Sequence, residues 1–260
     1  MTDSAPDKPV TGTVKALYRY PVKGMTAEAL DSVEVGAGQG FPDDRRFGLA
    51  IAGITGSSAK SEWMSWRNFL MLKKSTKLAA LEAKFDSDTE VLTIYRAGRQ
   101  ISRGKPTDRI GRSMLEDFFG TFLRDELNGK RPKLVESENV HFSDNGENQV
   151  SLLNLGTLKD IERVAGQPID VRRLRGNIII EGAAPWAEKT WIGREIQIGR
   201  LRLKVMADID RCAAPNVNPD TAVRDINLVK DLQRGFGHID CGVYCKVLQG
   251  GTLAIGDALK

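Results

Sequence analysis

The 260-residue sequence predicts an α+β protein that is mostly β and barrel-like. Three observations carry this. Short segments alternating apolar and polar residues recur from one end of the chain to the other. Only residues 113–123, 157–166 and 225–235 space apolar side chains as a helix does. A polar stretch, residues 137–149, divides the chain into an N-terminal unit, 11–136, and a C-terminal unit, 137–260.

Taken in order, "GTVKALYRYPV" opens the ordered part as a strand, after a polar N-terminus expected to be disordered. "DSVEV" and "RRFGLAIAG" follow as strands, the second with Phe47, Leu49 and Ile51 on one face. "KLAALEAKF" and "EVLTIYRAG" read as two strands joined by the turn "DSDT". Met114, Leu115, Phe118, Phe119 and Phe122 recur at helical spacing and predict a packed amphipathic helix. Beyond the polar stretch, "TLKDIERVAG" reads as a helix with Thr157 as N-cap and Gly166 as its stop. "NIIIEG", "EIQIG" and "RLRLKVM" predict strands, "DINLVKDLQRG" a short helix, and "HIDCGVYCKVL" and "GTLAIGD" the closing strands.

The net charge is +4, with lysines and arginines spread along the chain rather than gathered in one stripe, which disfavours nucleic acid as partner and suits a small anionic ligand. No apolar run approaches the ~18 residues of a membrane span. Three cysteines without a signal peptide point to a reduced, cytoplasmic setting.

Cys241 and Cys245 fall on one face of a strand with Val243 and Val247, roughly 13 Å apart, too far for a disulfide or one metal. They read as core residues. Cys212 differs: it follows Arg211 just past a strand, in a loop stiffened by Pro215 and Pro219. The neighbouring cation would favour its thiolate, the form that attacks or ligates. An incidental loop thiol stays open on these residues alone. With only His141 and His238 in the chain, a zinc site is not expected.

"YPVKG" at 20–24, "DDRRFGLA" at 43–50, "LRGNIII" at 174–180, and "DRCAAPNVNPDTAVRD" followed by "GTLAIGD" together resemble the MOSC family. The resemblance covers roughly residues 11–258. It implies a MOSC β-barrel domain packed against an N-terminal MOSC_N β-rich domain, with a molybdenum–molybdopterin cofactor between them. It implies that Cys212 ligates molybdenum, with Arg211 beside it, and that Lys23, Arg46, Asn154, Arg175 and Asn177 bind the cofactor. Pyridoxal phosphate binding is only a family association and is not expected here. The implied activity is reduction of N-hydroxylated substrates such as amidoximes, hydroxylamines and hydroxylated bases. The implied partner is a separate electron-transfer protein: a ferredoxin, a cytochrome b5-like protein or a flavin reductase. Neither nucleic acid nor a membrane is expected, and neither an appended ferredoxin domain nor an N-terminal anchor is read here. A sulfur-transfer protein with a persulfide on Cys212, and a non-catalytic molybdopterin carrier, are the alternatives. Gly24, Gly176 and Ala222 depart from the residues expected by resemblance: Ser, Pro and Gly.

Overall fold

The computed structural model describes residues 10–51, 60–61, 64–137, 140–144 and 146–260. The polar N-terminus up to residue 9 lies outside them, as do Ala52 and Gly53 of "RRFGLAIAG". In chain order the strands are β1 (Gly12–Arg19), β2 (Glu28–Leu30), β3 (Ser32–Val35), β4 (Phe47–Ala50), β5 (Lys60–Ser61), β6 (Glu82–Asp86), β7 (Val91–Arg96) and β8 (Arg99–Gly104). They continue as β9 (Lys133–Ser137), β10 (Val150–Asn154), β11 (Ile178–Glu181), β12 (Glu195–Ile198), β13 (Leu201–Asp210), β14 (Asp240–Gln249), β15 (Gly251–Ala254) and β16 (Ala258–Leu259). The helices are α1 (Arg109–Phe122), α2 (Leu155–Ala165) and α3 (Leu228–Phe236). None is long and apolar enough to cross a membrane among the described residues.

Seven strands close a barrel in the order β1, β11, β10, β14, β13, β12, β16 and back to β1. The pairing is antiparallel except for β10 with β11. The N-terminal unit thus supplies β1 to the barrel, where Leu17 faces Ile178 across the ladder. β3 pairs with β15 beside it. The inward alternation of β13 (Leu201, Leu203, Val205) fills the interior around the fully buried Trp191. Each such large side chain contributes about 1.5–3 kcal/mol by burial.

A second core lies over the sheets β4–β9–β5 and β6–β7–β8. Leu115 and Phe119 of α1 pack into it, while Met114 of the same predicted stripe is 56% exposed. Asp108 caps α1 by accepting from the Ile110 and Gly111 N–H groups.

Three sequence expectations are corrected. Residues 77–80 of "KLAALEAKF" belong to a 3-10 turn, Thr76–Ala80, before β6 rather than to a strand. The cap of α2 is Asn154, whose Oδ1 accepts from Gly156 N; Thr157 lies inside the helix and donates to the buried Glu188 at 2.7 Å. The stop at Gly166, in the left-handed region, stands as read. Finally, Cys241 and Cys245 do not share a face. Cys245 joins the barrel interior with Val243 and Val247, whereas Cys241 packs between β10, α2 and α3. Gly242, at φ +80°, lies between them, where the β13–β14 register also shifts. A Cβ there would stand 2.3 Å from Leu153 Cδ2.

A cationic cavity around Cys212

The turns leaving one end of the barrel converge on a cavity of about 760 Å³, counting its open mouth. Lys23 and Gly24 reach it from the turn after β1, Arg45 from the turn before β4, and Arg173 and Arg175 from the turn before β11. Asp210, Arg211 and Cys212 arrive at the end of β13, and Tyr244 from the middle of β14. Gly24 adopts φ +89°, which explains the glycine where the resemblance expects Ser: any side chain there would be strained.

Five cationic side chains line this cavity, Lys23, Arg45, Arg173, Arg175 and Arg211, against the carboxylates of Asp144 and Asp210. Lys23 is buried, donating to Phe142 O at 2.8 Å and to Asp144 Oδ1 at 2.5 Å. Burial pushes its pKa below the ordinary lysine value despite Asp144; Arg45 and Arg175 add to the push. Arg175 donates one Nη1 bond to Met25 O at 2.6 Å, and its buried Nη2 has no partner among the described residues. Burial, reinforced by Arg45, draws its pKa down to about 10. Arg45 donates to the Arg175 carbonyl at 2.9 Å. Asp43, Arg45 and Arg175 all hold positive φ, an arrangement costly for side-chain-bearing residues and concentrated here. A buried guanidinium nitrogen without a partner among the described residues, in a wall where burial lowers the pKa values of Lys23 and Arg175, suits an anion.

Cys212 is the one exposed free thiol, and it lines this cavity. Its loop is held by Arg173, which pairs with Asp225 at 2.8 Å and reaches toward the Pro215 and Asn216 carbonyls at 3.4 Å. Asn216 in turn accepts from Leu228 N at the start of α3. The loop includes one 3-10 turn, Ala214–Asn216, with Pro215 inside it.

The other sequence candidates take different places. Arg211 also lines the cavity, but its guanidinium is committed to backbone: Nη1 donates to Leu174 O at 2.7 Å and Nε to Cys241 O at 2.9 Å. It ties the ends of β13 and β14 to the Arg175 turn. Arg46 is outside the cavity lining, bound to Glu136 at 2.6 Å and Asp43 at 2.9 Å and lying over Phe47 and Phe85. Asn154 is also outside it, its Nδ2 donating to Ala184 O and Glu188 Oε2. Asn177 accepts from Ser151 and donates to Tyr18 O, clamping β10, β11 and β1 beside a polar recess that adjoins the cavity. Arg45, Arg173, Asp144 and Tyr244 are among the lining residues that the sequence alone left unmarked. The signal for Arg45, Arg173 and Tyr244 was proximity to Arg46, Arg175 and the strand holding Cys241; Asp144 had only its place in the polar stretch 137–149. Among the described residues no cluster of His, Cys, Asp and Glu could hold a metal by itself.

Residues 137–260 match the family model of the MOSC domain, and residues 11–113 that of the MOSC N-terminal beta barrel domain. The chain belongs to the MOSC family, with both domains present. It is 23% identical to mitochondrial amidoxime reducing component 2 of Bos taurus, across 95% of this chain and 82% of that one. It is 31% identical to mitochondrial amidoxime-reducing component 1 of Mus musculus over 74 residues, 28% of this chain and 21% of that one. Among solved structures, the YuaD protein of Bacillus subtilis aligns over 96% of this chain and 94% of its own, with 14% identity and a TM-score of 0.46.

Proposed function

We propose that this chain is a molybdenum-cofactor-dependent oxidoreductase that reduces N-hydroxylated compounds with electrons from a separate protein. The observation that carries this is the pairing of a free, exposed Cys212 with a cavity wall of five cations, one bearing an unpartnered buried nitrogen. The names of the amidoxime-reducing relatives support the substrate class. When bound, the cofactor supplies two-electron metal chemistry for removing oxygen from nitrogen.

The chain's own residues do the rest. Arg175, Arg45 and Lys23 hold the anionic groups of the molybdopterin, Arg175 through its free Nη2. The Cys212 thiolate is the protein ligand to the metal, a soft donor suited to a metal already bound by sulfur. Arg173 keeps the Cys212 loop in place. Arg211, Arg46, Asn154 and Asn177 fix the strands and turns that carry these groups. The three cysteines of residues 1–260 do not make a four-cysteine iron–sulfur site, and the reading assigns electron supply to a partner. Residues 11–136 and 137–260 are taken as the two domains.

The test is protein produced in a cofactor-competent host and analysed for molybdenum and released pterin. X-ray absorption at the molybdenum edge should lose one sulfur scatterer in Cys212→Ser and keep it in Cys241→Ala and Cys245→Ala. An unchanged sulfur count refutes the ligand assignment. Cyanide-releasable sulfur on Cys212 without molybdenum would identify a persulfide carrier instead.

A further inference from the structure

One side of the cavity wall, Met71 and Leu72, belongs to a loop whose outer surface carries Trp66, Arg67, Lys73 and Lys74. The loop is knitted together. The Arg67 guanidinium carbon and the Lys73 Nζ each lie 5.4 Å from the Trp66 ring centroid. Lys74 Nζ donates to Arg67 O at 3.3 Å. Arg224, from the loop that follows Cys212, donates to Lys73 O at 2.8 Å and Leu72 O at 3.2 Å. Beside Arg224, Val223 is 56% exposed. The result is a continuous collar on the outer side of the Met71–Leu72 wall.

The collar's charges are unspent. Arg67, Lys73, Lys74 and Arg224 are exposed, and none pairs with a carboxylate among the described residues. Other cations are paired: Lys77 with Asp125, Arg172 with Asp170 and Asp220, and Arg173 with Asp225. Four unpaired cations around a Trp and a Val make the composition of a protein-binding patch, where Trp and Arg supply most of the energy and opposite charge guides encounter. The Trp66 ring lies close to two cations and is half-buried, so its apolar surface does not project beyond the charges as a lipid-inserting residue's does.

We infer that this collar of Trp66, Arg67, Lys73, Lys74, Val223 and Arg224 is the docking surface for an electron-donating protein with an acidic face. The inference rests on the proposed redox function, and it adds where the donor sits: against the wall that Met71 and Leu72 share with the cavity of Cys212. The outer barrel face also carries Arg202, Lys204 and Lys246 on β13 and β14; the collar differs in being joined to the cavity wall, Lys73 following Leu72 in the chain and Arg224 donating to the Leu72 carbonyl. Positive charge alone therefore does not select the collar; contact with the cavity wall does.

The test compares two triple variants of the cofactor-loaded protein with equal charge change: Arg67→Glu/Lys73→Glu/Lys74→Glu on the collar, and Arg202→Glu/Lys204→Glu/Lys246→Glu on the barrel. The probe is a plant-type [2Fe–2S] ferredoxin, an acidic donor. Its binding is followed by titration and its oxidation by stopped flow, at roughly 50 and 500 mM salt. The collar variant should weaken binding and slow oxidation by about tenfold or more at low salt, with the barrel variant near wild type and the difference shrinking at high salt. Viologen-driven turnover, which needs no docking, should be equal in all three. Equal loss in both variants, loss only in the barrel variant, no loss, or no binding by wild type overturns the inference. So does collar-dependent binding to anionic phosphatidylglycerol vesicles without ferredoxin binding, which would assign the collar to a lipid surface. Absence of viologen-driven turnover in wild type would count against the redox function itself, while the binding titration would still report on the collar.

Discussion

The Arg175 guanidinium stands 4.3 Å from the centroid of the Tyr20 ring, against one face of a side chain that is itself fully buried. The same ring has Arg45 4.9 Å away. Two like charges that repel each other are thus held in one cavity wall by a shared aromatic quadrupole. Burial pushes the Tyr20 hydroxyl up to about 12, so the ring stays neutral and adds no charge of its own.

Arg175→Ala should therefore lose cofactor affinity about ten- to hundred-fold, the loss of a charge-assisted donor pair worth roughly 1.5–3 kcal/mol. Arg175→Lys should recover only part, lacking the planar fork. Tyr20→Phe should keep occupancy, whereas Tyr20→Leu should lower both occupancy and melting temperature. Pterin fluorescence per mole of protein and thermal melts read these outcomes. Full occupancy in Arg175→Ala would show that the anion is held elsewhere.

The three thiols should separate by reactivity. Burial pushes Cys241 and Cys245 up to about 12, while Cys212 is exposed. Cofactor-free native protein at mildly alkaline pH should react with Ellman's reagent at Cys212 only, and the unfolded chain at all three cysteines. Cys241→Ala and Cys245→Ala should each cost roughly 1–2 kcal/mol in chemical denaturation, as small core truncations do. Prompt labelling of a second native thiol would contradict the assigned packing.

The sequence made the strands with clean alternation legible, since β13 has one face in the barrel and one in water. It did not mark β10, buried at every position with no polar face to reveal a period of two. The site was legible where a motif residue reaches the cavity directly, as Lys23, Arg175 and Cys212 do. It was not legible at "DDRRFG". There, adjacent arginines look alike, and the turn through Asp43 and Arg45 at positive φ sends Arg45 to the cavity and Arg46 to Glu136. Asn154 shows the converse: a position singled out for cofactor binding is occupied as a helix cap. Such choices depend on backbone dihedrals and on distant partners that no local pattern records.

Ala222 holds φ +58°, its N–H bonded to Asn218 O at 2.9 Å, in the turn where the resemblance expects glycine. The left-handed conformation costs alanine roughly 1–2 kcal/mol, partly offset by glycine's larger unfolded-state entropy. Ala222→Gly should thus stabilise the protein by roughly 0.5–1 kcal/mol, measured as a higher denaturant midpoint with unchanged slope. A lower midpoint would mean that packing of the Ala222 methyl against the second core outweighs the strain.

Asp225 supplies a pH-dependent hold on the Cys212 loop. Its hydrogen bond from Arg173 lowers its pKa from the ordinary 3.8 to about 2. A depressed carboxylate stabilises the folded state above its unfolded pKa and loses that contribution as pH falls through the folded value, here between about 4 and 2. The side chain is 38% exposed, so solvent screening reduces the contribution to about 1 kcal/mol. Asp225→Asn should be less stable than wild type by that amount near pH 5, with the gap closing toward pH 2. Urea midpoints across this range measure it, and a gap that stays constant down to pH 2 would show that the Arg173 pair is not its source.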